Sequence, residues 1–123
     1  MLNQERPPIW IGHIILPTPD LESTHEFMVT LGMRPIARGE EFAVLELRGG
    51  THLVLVPGEV PSQAAAGFDL MVEDIHAAHD QYQALGFAPS QIDKGTIHES
   101  FTMQCPSGHI ITFNSDHSSS YPV

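Results

Sequence analysis

The stretch DLESTHEFMVTLGM at residues 20–33 decides the fold, because its pattern returns as DIHAAHDQYQALGF at residues 74–87. Each copy begins with aspartate, whose carboxylate can accept hydrogen bonds from the unpaired N–H groups of a first helical turn. Each copy ends near a glycine, the residue preferred just after a helix. Two equivalent helices are predicted. Their apolar stripes are Leu21, Thr24, Met28 and Leu31 in the first copy and Ile75, Ala78, Tyr82 and Leu85 in the second.

Short strand patterns surround both helices. The strand before each helix is predicted at residues 13–19 and 67–73; the later strands are predicted at 35–38, 41–48 and 51–57 in the first half and at 90–93, 96–104 and 109–114 in the second. The chain 1–123 is therefore one domain of two β-α-β-β-β modules. We place module one at about 9–57, a linker at about 58–66, module two at about 67–115 and a loose tail at 116–123.

One such module carries a helix on only one face of its sheet, so the other face needs cover. We predict an α+β fold in which two paired modules form a cupped mixed sheet around a cleft, with the helices on the outer face. Because strand side chains alternate, Ile14 and Leu16 should face the helix, and His13 and Ile15 should face the cleft.

Composition excludes several kinds of partner. The chain has 5 Lys and Arg against 15 Asp and Glu, a net charge of −10, which would repel a nucleic acid backbone. No apolar run approaches the ~20 residues of a membrane span, so no membrane partner is predicted. Cys105 is the only cysteine, so no internal disulfide forms; we predict a buried thiol and a cytoplasmic protein.

Two segments resemble a known family. HIILPTPDL (13–21) resembles the opening strand and helix cap of the vicinal oxygen chelate superfamily, which contains glyoxalases, bleomycin resistance proteins and extradiol dioxygenases; CPSGHIITF (105–113) resembles its last hairpin. The resemblance spans residues 9–115. It implies a homodimer and a small-molecule ligand.

Metal-dependent members of that superfamily bind a divalent ion at four positions, on the first and last strands of each module. In this chain those positions fall on His13, Val54, Gly67 and Thr112. Gly67 and Val54 cannot bind a metal, and the hydroxyl of Thr112 is a weak ligand. The leading hypothesis is a protein with a degenerate metal site, which binds a small apolar organic molecule with His13 as a polar anchor or general base.

Two alternatives remain open. A shifted site of His13, His52 and Asp69 could hold Zn, Mn, Fe or Ni in a metal-dependent lyase, isomerase or dioxygenase. The other alternative is a non-catalytic protein that binds and sequesters a drug-like molecule.

Further residues are candidates for the cleft. Glu46 either pairs with Arg48 or with an arginine across the sheet, or faces the cleft as an acid or base; Glu99 is a second catalytic candidate. Ligand-binding candidates are Val54, Asp69, Met71, His98, Phe101 and Thr112. The default position of Trp10, Phe42, Phe101, Met71 and Met103 is the core.

Overall fold

The computed structural model describes residues 5–116 and 122–123, so the predicted tail lies mostly outside the described residues. The chain contains β1 (His13–Thr18), α1 (Leu21–Leu31), β2 (Arg34–Arg38), β3 (Ala43–Glu46), a 3₁₀ turn (Arg48–Gly50), β4 (His52–Pro57), β5 (Leu70–Val72), α2 (Ile75–Ala84), β6 (Asp93–Lys94), β7 (Glu99–Gln104) and β8 (Ile110–Ser115). The β-α-β-β-β order therefore occurs twice, and the predicted α+β fold is confirmed.

Each module forms its own four-stranded mixed sheet. The first sheet has the strand order β1-β4-β3-β2 and the second has β5-β8-β7-β6. In both sheets the strand before the helix pairs in parallel with the last strand of the module, and the other pairs are antiparallel. Among the described strands, β1 and β5 are therefore edge strands with one hydrogen-bonded neighbour each.

Both helices begin at the predicted aspartates. The carboxylate of Asp20 accepts the backbone N–H of Ser23 at 3.0 Å, and hydrogen bonds from the Ser23 backbone and side chain lower the pKa of Asp20. The carboxylate of Asp74 accepts the N–H of Ala77 at 3.0 Å. At the other end, α2 stops at Ala84, so Leu85 caps the helix and is 52% exposed. The prediction that Leu85 continues the apolar stripe is wrong.

The sheet faces follow the predicted alternation in β1. Leu16 is buried and Ile14 is partly buried, whereas Ile15 is 65% exposed. We call the face toward the helix the core face of each sheet, and the opposite face, which contains His13 and Ile15, the open face.

The core faces of the two modules share one hydrophobic core. The Phe27 ring of α1 contacts the edge of Phe87, which follows α2, with centroids 5.1 Å apart. The Thr24 side chain of α1 hydrogen-bonds with the Cys105 thiol of module two, and burial raises the pKa of that thiol. The core residues from both modules form a single cluster. The open faces lie outside this cluster, and no described strands join the two sheets into one cup.

Some apolar residues that were assigned to the core are instead exposed. Phe101 and Met103 are buried as predicted, but Trp10 is 69% exposed, Met71 50% and Phe42 41%. Trp10 precedes β1, where no described strand or helix covers it, and Met71 lies on the open face of β5. No helix in the described ranges is long and apolar enough to cross a membrane.

Candidate functional site

A row of polar side chains crosses the open face of the first sheet. Strand register places His13 of β1 beside His52 of β4, His52 beside Glu46 of β3, and Glu46 beside Arg34 of β2. We call these four residues the polar row. Each strand of the sheet thus contributes one residue at the same level.

The members of the polar row contact one another. His52 Nε2 lies 3.0 Å from Glu46 Oε2, and Arg34 Nη1 lies 3.3 Å from Glu46 Oε1. The rings of His13 and His52 meet edge to face with centroids 5.7 Å apart. The predicted ion pair of Glu46 with an arginine across the sheet is therefore confirmed. Arg48 pairs instead with Glu73 of module two, at 2.8 Å.

His13 is the polar-row residue for which no ion pair is found within the described part of the chain. It is exposed at the start of β1. Within the described part of the chain its ring touches His52 but makes no hydrogen bond. Both ring nitrogens can therefore accept or donate a hydrogen bond to a bound molecule.

An apolar row lies next to the polar row on the same face. Ile15 pairs with Val54, Val54 with Val44, and Val44 with Ala37. Ile15, Val54 and Val44 are two positions along their strands from the polar row, a distance of roughly 6 to 7 Å. Ala37 is three positions from Arg34, because the register shifts between Pro35 and Ala37 in β2. We call Ile15, Val54, Val44 and Ala37 the apolar row; it includes the predicted ligand contact Val54.

The open face of the second sheet carries three further predicted residues. Met71 of β5 pairs with Asn114 of β8, and Thr112 lies on the same face of β8. Asp69 precedes β5, and its carboxylate accepts a hydrogen bond from Asn114 Nδ2 at 2.9 Å. The structure therefore brings Asp69, Met71 and Thr112 to one surface, separate from the polar row.

The predicted metal ligands do not form a common site in the chain. His13, His52 and Asp69 are all described, yet no three His, Cys, Asp or Glu side chains in the described ranges are grouped to hold an ion. The shifted site is therefore wrong for the single chain, because two of its ligands lie on the first sheet and Asp69 bonds to the second. Within the described residues of one chain, this donor set does not fit a metal.

Two other candidates, Phe101 and Glu99, lie on the core face of β7, and His98 precedes that strand. The ring of Phe101 is 1% exposed and stacks on Phe113 at 5.0 Å, so its prediction as a ligand contact is wrong. Glu99 shares the core face of β7 and pairs with His76 of α2 at 3.0 Å, which does not suit a catalytic group in the cleft. His98 Nδ1 donates to the Ser115 carbonyl at 3.1 Å.

Two crevices border these surfaces. One of about 530 Å³ lies beside the polar row and is lined by Arg34, Glu46 and the turn Arg48–Gly50. The glycines of that turn have φ angles of 85° and 93°, which glycine adopts without strain. The other crevice, of about 500 Å³, lies between the modules and includes Asp69 and Met71 in its wall.

Two features of the structure were not predicted from the sequence. Arg34 was not assigned to the site, although it lies opposite Glu46 in the β2–β3 pair. The second is a buried polar contact in the last hairpin: Ser107 Oγ lies 2.7 Å from His109 Nδ1, and burial lowers the pKa of His109. His109 is only 6% exposed, and its packing helps to close the core at the last hairpin.

The buried His109 predicts a pH-dependent stability. Because burial lowers its pKa in the folded protein, the unfolded chain takes up a proton at a higher pH than the folded protein does. The neutral His109 therefore contributes fully to the free energy of unfolding above the ordinary histidine pKa of about 6.5. This contribution decreases as the pH falls below that value. Urea titrations at neutral and mildly acidic pH should show a larger loss in wild type than in His109→Asn. Equal losses in the two proteins would contradict this assignment.

Sequence and structure comparisons agree on the family. The chain matches the Glyoxalase/Bleomycin resistance protein/Dioxygenase superfamily over residues 10–113 and belongs to that superfamily. Its structure is similar to lactoylglutathione lyase from Agrobacterium tumefaciens (TM-score 0.77, 14% identity, covering 94% of this chain and 100% of the other). It is also similar to TnmS3, an antibiotic binding protein from Streptomyces sp. CB03234 (TM-score 0.75, 23% identity, covering 89% and 98%). No curated protein matches the sequence.

Proposed function

We propose that this protein binds a small, mostly apolar organic molecule in a cleft at a homodimer interface, with a degenerate metal site. The observation that carries the proposal is the exposed apolar surface at the start of the first sheet. Ile9 is 80% exposed, Trp10 69%, Ile11 63% and Ile15 65%. Contiguous apolar surface of this kind marks binding sites and protein interfaces.

A second copy of the chain is the partner that suits this surface. The edge strands β1 and β5 and both open faces lie outside the core that joins the modules. Unpaired strand edges and apolar faces are stabilised when another chain covers them. In a twofold dimer, the open face of the first sheet of one protomer can close over the open face of the second sheet of its partner. That arrangement completes the cleft that the single chain leaves open.

Binding is the activity that the known relatives support. TnmS3 is an antibiotic binding protein, and lactoylglutathione lyase must also bind its substrate. In this chain the apolar row would contact the body of the ligand and His13 would be its polar anchor. The buried, unpaired Cys105 supports a cytoplasmic location, where thiols stay reduced.

Two measurements test the proposal together. Light scattering should give the mass of a dimer, and small aromatic compounds should raise the melting temperature with a concentration dependence that follows mass action. Val54→Lys places a charge in the apolar row and should reduce the ligand effect. Ile97→Lys, at a position 78% exposed in the turn before β7, is the matched control. A monomer that no aromatic compound stabilises would contradict the proposal.

The degenerate metal site leads to a separate prediction. Gly67 and Val54 provide no ligand atom and Thr112 only a weak neutral one, so protein purified without an affinity tag should contain no stoichiometric Zn, Mn, Fe or Ni. Elemental analysis of wild type and His13→Ala checks this expectation. One equivalent of metal that disappears in His13→Ala would instead support a site that two chains assemble.

A further inference from the structure

We infer that the polar row selects ligands that carry an ionisable hydroxyl, a phenol or an enol, on an apolar framework. His13 makes the ligand contact, and His52 and Glu46 are positioning residues. The inference rests on the proposed function, because it requires the ligand to occupy the open face of the first sheet.

The orientation of His52 is determined by Glu46. A carboxylate only accepts hydrogen bonds, so the 3.0 Å contact requires that His52 Nε2 carries the hydrogen. The ring of His52 is thereby held in one orientation, at 72° to the ring of His13. This edge contact limits the rotation of His13 and keeps its ring over the open face.

The polar row has no net charge of its own to attract an anion, so an anionic ligand oxygen depends on the proton that it gives to His13. Arg34 and Glu46 neutralise each other as an ion pair, so the row is uncharged when both imidazoles are neutral. When the ligand hydroxyl transfers its proton, the O–H bond breaks, its electron pair stays on oxygen, and an N–H bond forms on His13. The imidazolium of His13 then pairs with the ligand oxyanion.

The apolar row selects the other part of the ligand, its apolar framework. Ile15 is 65% exposed and lies roughly 6 to 7 Å along β1 from His13. A planar apolar ring that packs on Ile15 and Val54 can therefore place a hydroxyl at its end beside His13. A ligand without the hydroxyl keeps only the apolar contacts.

The test compares 4-nitrophenol with nitrobenzene, which has the same ring without the hydroxyl, by calorimetric titration of the full protein. Wild type should bind 4-nitrophenol at least about tenfold more tightly. His13→Phe should bind both compounds with the affinity that wild type has for nitrobenzene. His76→Phe is the matched control, because His76 has a 3.0 Å carboxylate contact outside the polar row, and it should keep the full preference.

A spectroscopic measurement tests the positioning role of Glu46. In wild type, the His52 Nε2–H should give a slowly exchanging, downfield proton resonance, which Glu46→Leu should abolish together with most of the preference for 4-nitrophenol. A Glu46→Leu variant that keeps the preference would overturn the positioning role. Equal binding of both compounds by wild type would overturn the selectivity but would remain consistent with an apolar cleft. Binding of neither compound would contradict the apolar cleft as well.

Discussion

Phe101→Ala should lower the free energy of unfolding by about 3 to 5 kcal/mol, the range typical of a buried phenylalanine that is truncated. The Phe101 ring is 1% exposed, stacks on Phe113 at 5.0 Å and meets Tyr82 at 6.2 Å. Truncation to alanine leaves a cavity between α2 and the second sheet that the rings of Phe113 and Tyr82 cannot fill. Urea unfolding followed by circular dichroism measures the change.

Ile97→Ala is the control for this substitution. Ile97 is 78% exposed in the turn before β7, so its truncation should change stability by no more than about 0.5 kcal/mol. A Phe101→Ala effect as small as that of Ile97→Ala would mean that Phe101 faces solvent or ligand. That result would restore its original prediction as a ligand contact.

The helices and strands could be predicted because their signals are local. Asp20 and Asp74 cap helices whose first turns need acceptors, and these signals repeat at a constant offset in the two halves. Leu85 shows the limit of a periodic pattern: the stripe continues through it, but the helix has already ended at Ala84. A repeat in sequence predicts the element and leaves its last turn undetermined.

The candidate site was predicted less completely, because alternation defines two faces of a strand without saying which one the core covers. In β1 the helix that follows indicates which face the core covers, and His13 lies on the opposite, open face as predicted. In β7 no such signal exists, and Phe101 and Glu99 lie on the core face instead of the cleft.

The contacts between modules were beyond local reasoning altogether. Thr24 of α1 meets Cys105 of the last hairpin, and Phe27 meets Phe87, across long stretches of chain. Nothing in the spacing of these residues indicates that the core faces, rather than the open faces, join within one chain. This packing leaves both open faces available to a second copy.

In the dimer that we propose, Ile15→Asp should therefore weaken association by about a hundredfold or more. Ile15 is 65% exposed in the single chain and forms the end of the apolar row on the edge strand β1. Burying one isoleucine side chain contributes about 1.5 to 3 kcal/mol, and a twofold interface buries two of them. Each tenfold change in the dissociation constant corresponds to about 1.4 kcal/mol. Sedimentation equilibrium measures the change, and Ile97→Asp, outside the open faces, should dimerise like wild type.

The same variant shows whether the cleft needs two chains. If the open faces of two protomers form it, Ile15→Asp should lose its stabilisation by aromatic compounds at the concentrations where it becomes monomeric, and recover part of it when the protein is concentrated. A fully monomeric Ile15→Asp that keeps the wild-type stabilisation would place the ligand within one chain. The crevice of about 500 Å³ between the modules, with Leu70 and Met33 in its wall, would then be the site to test next.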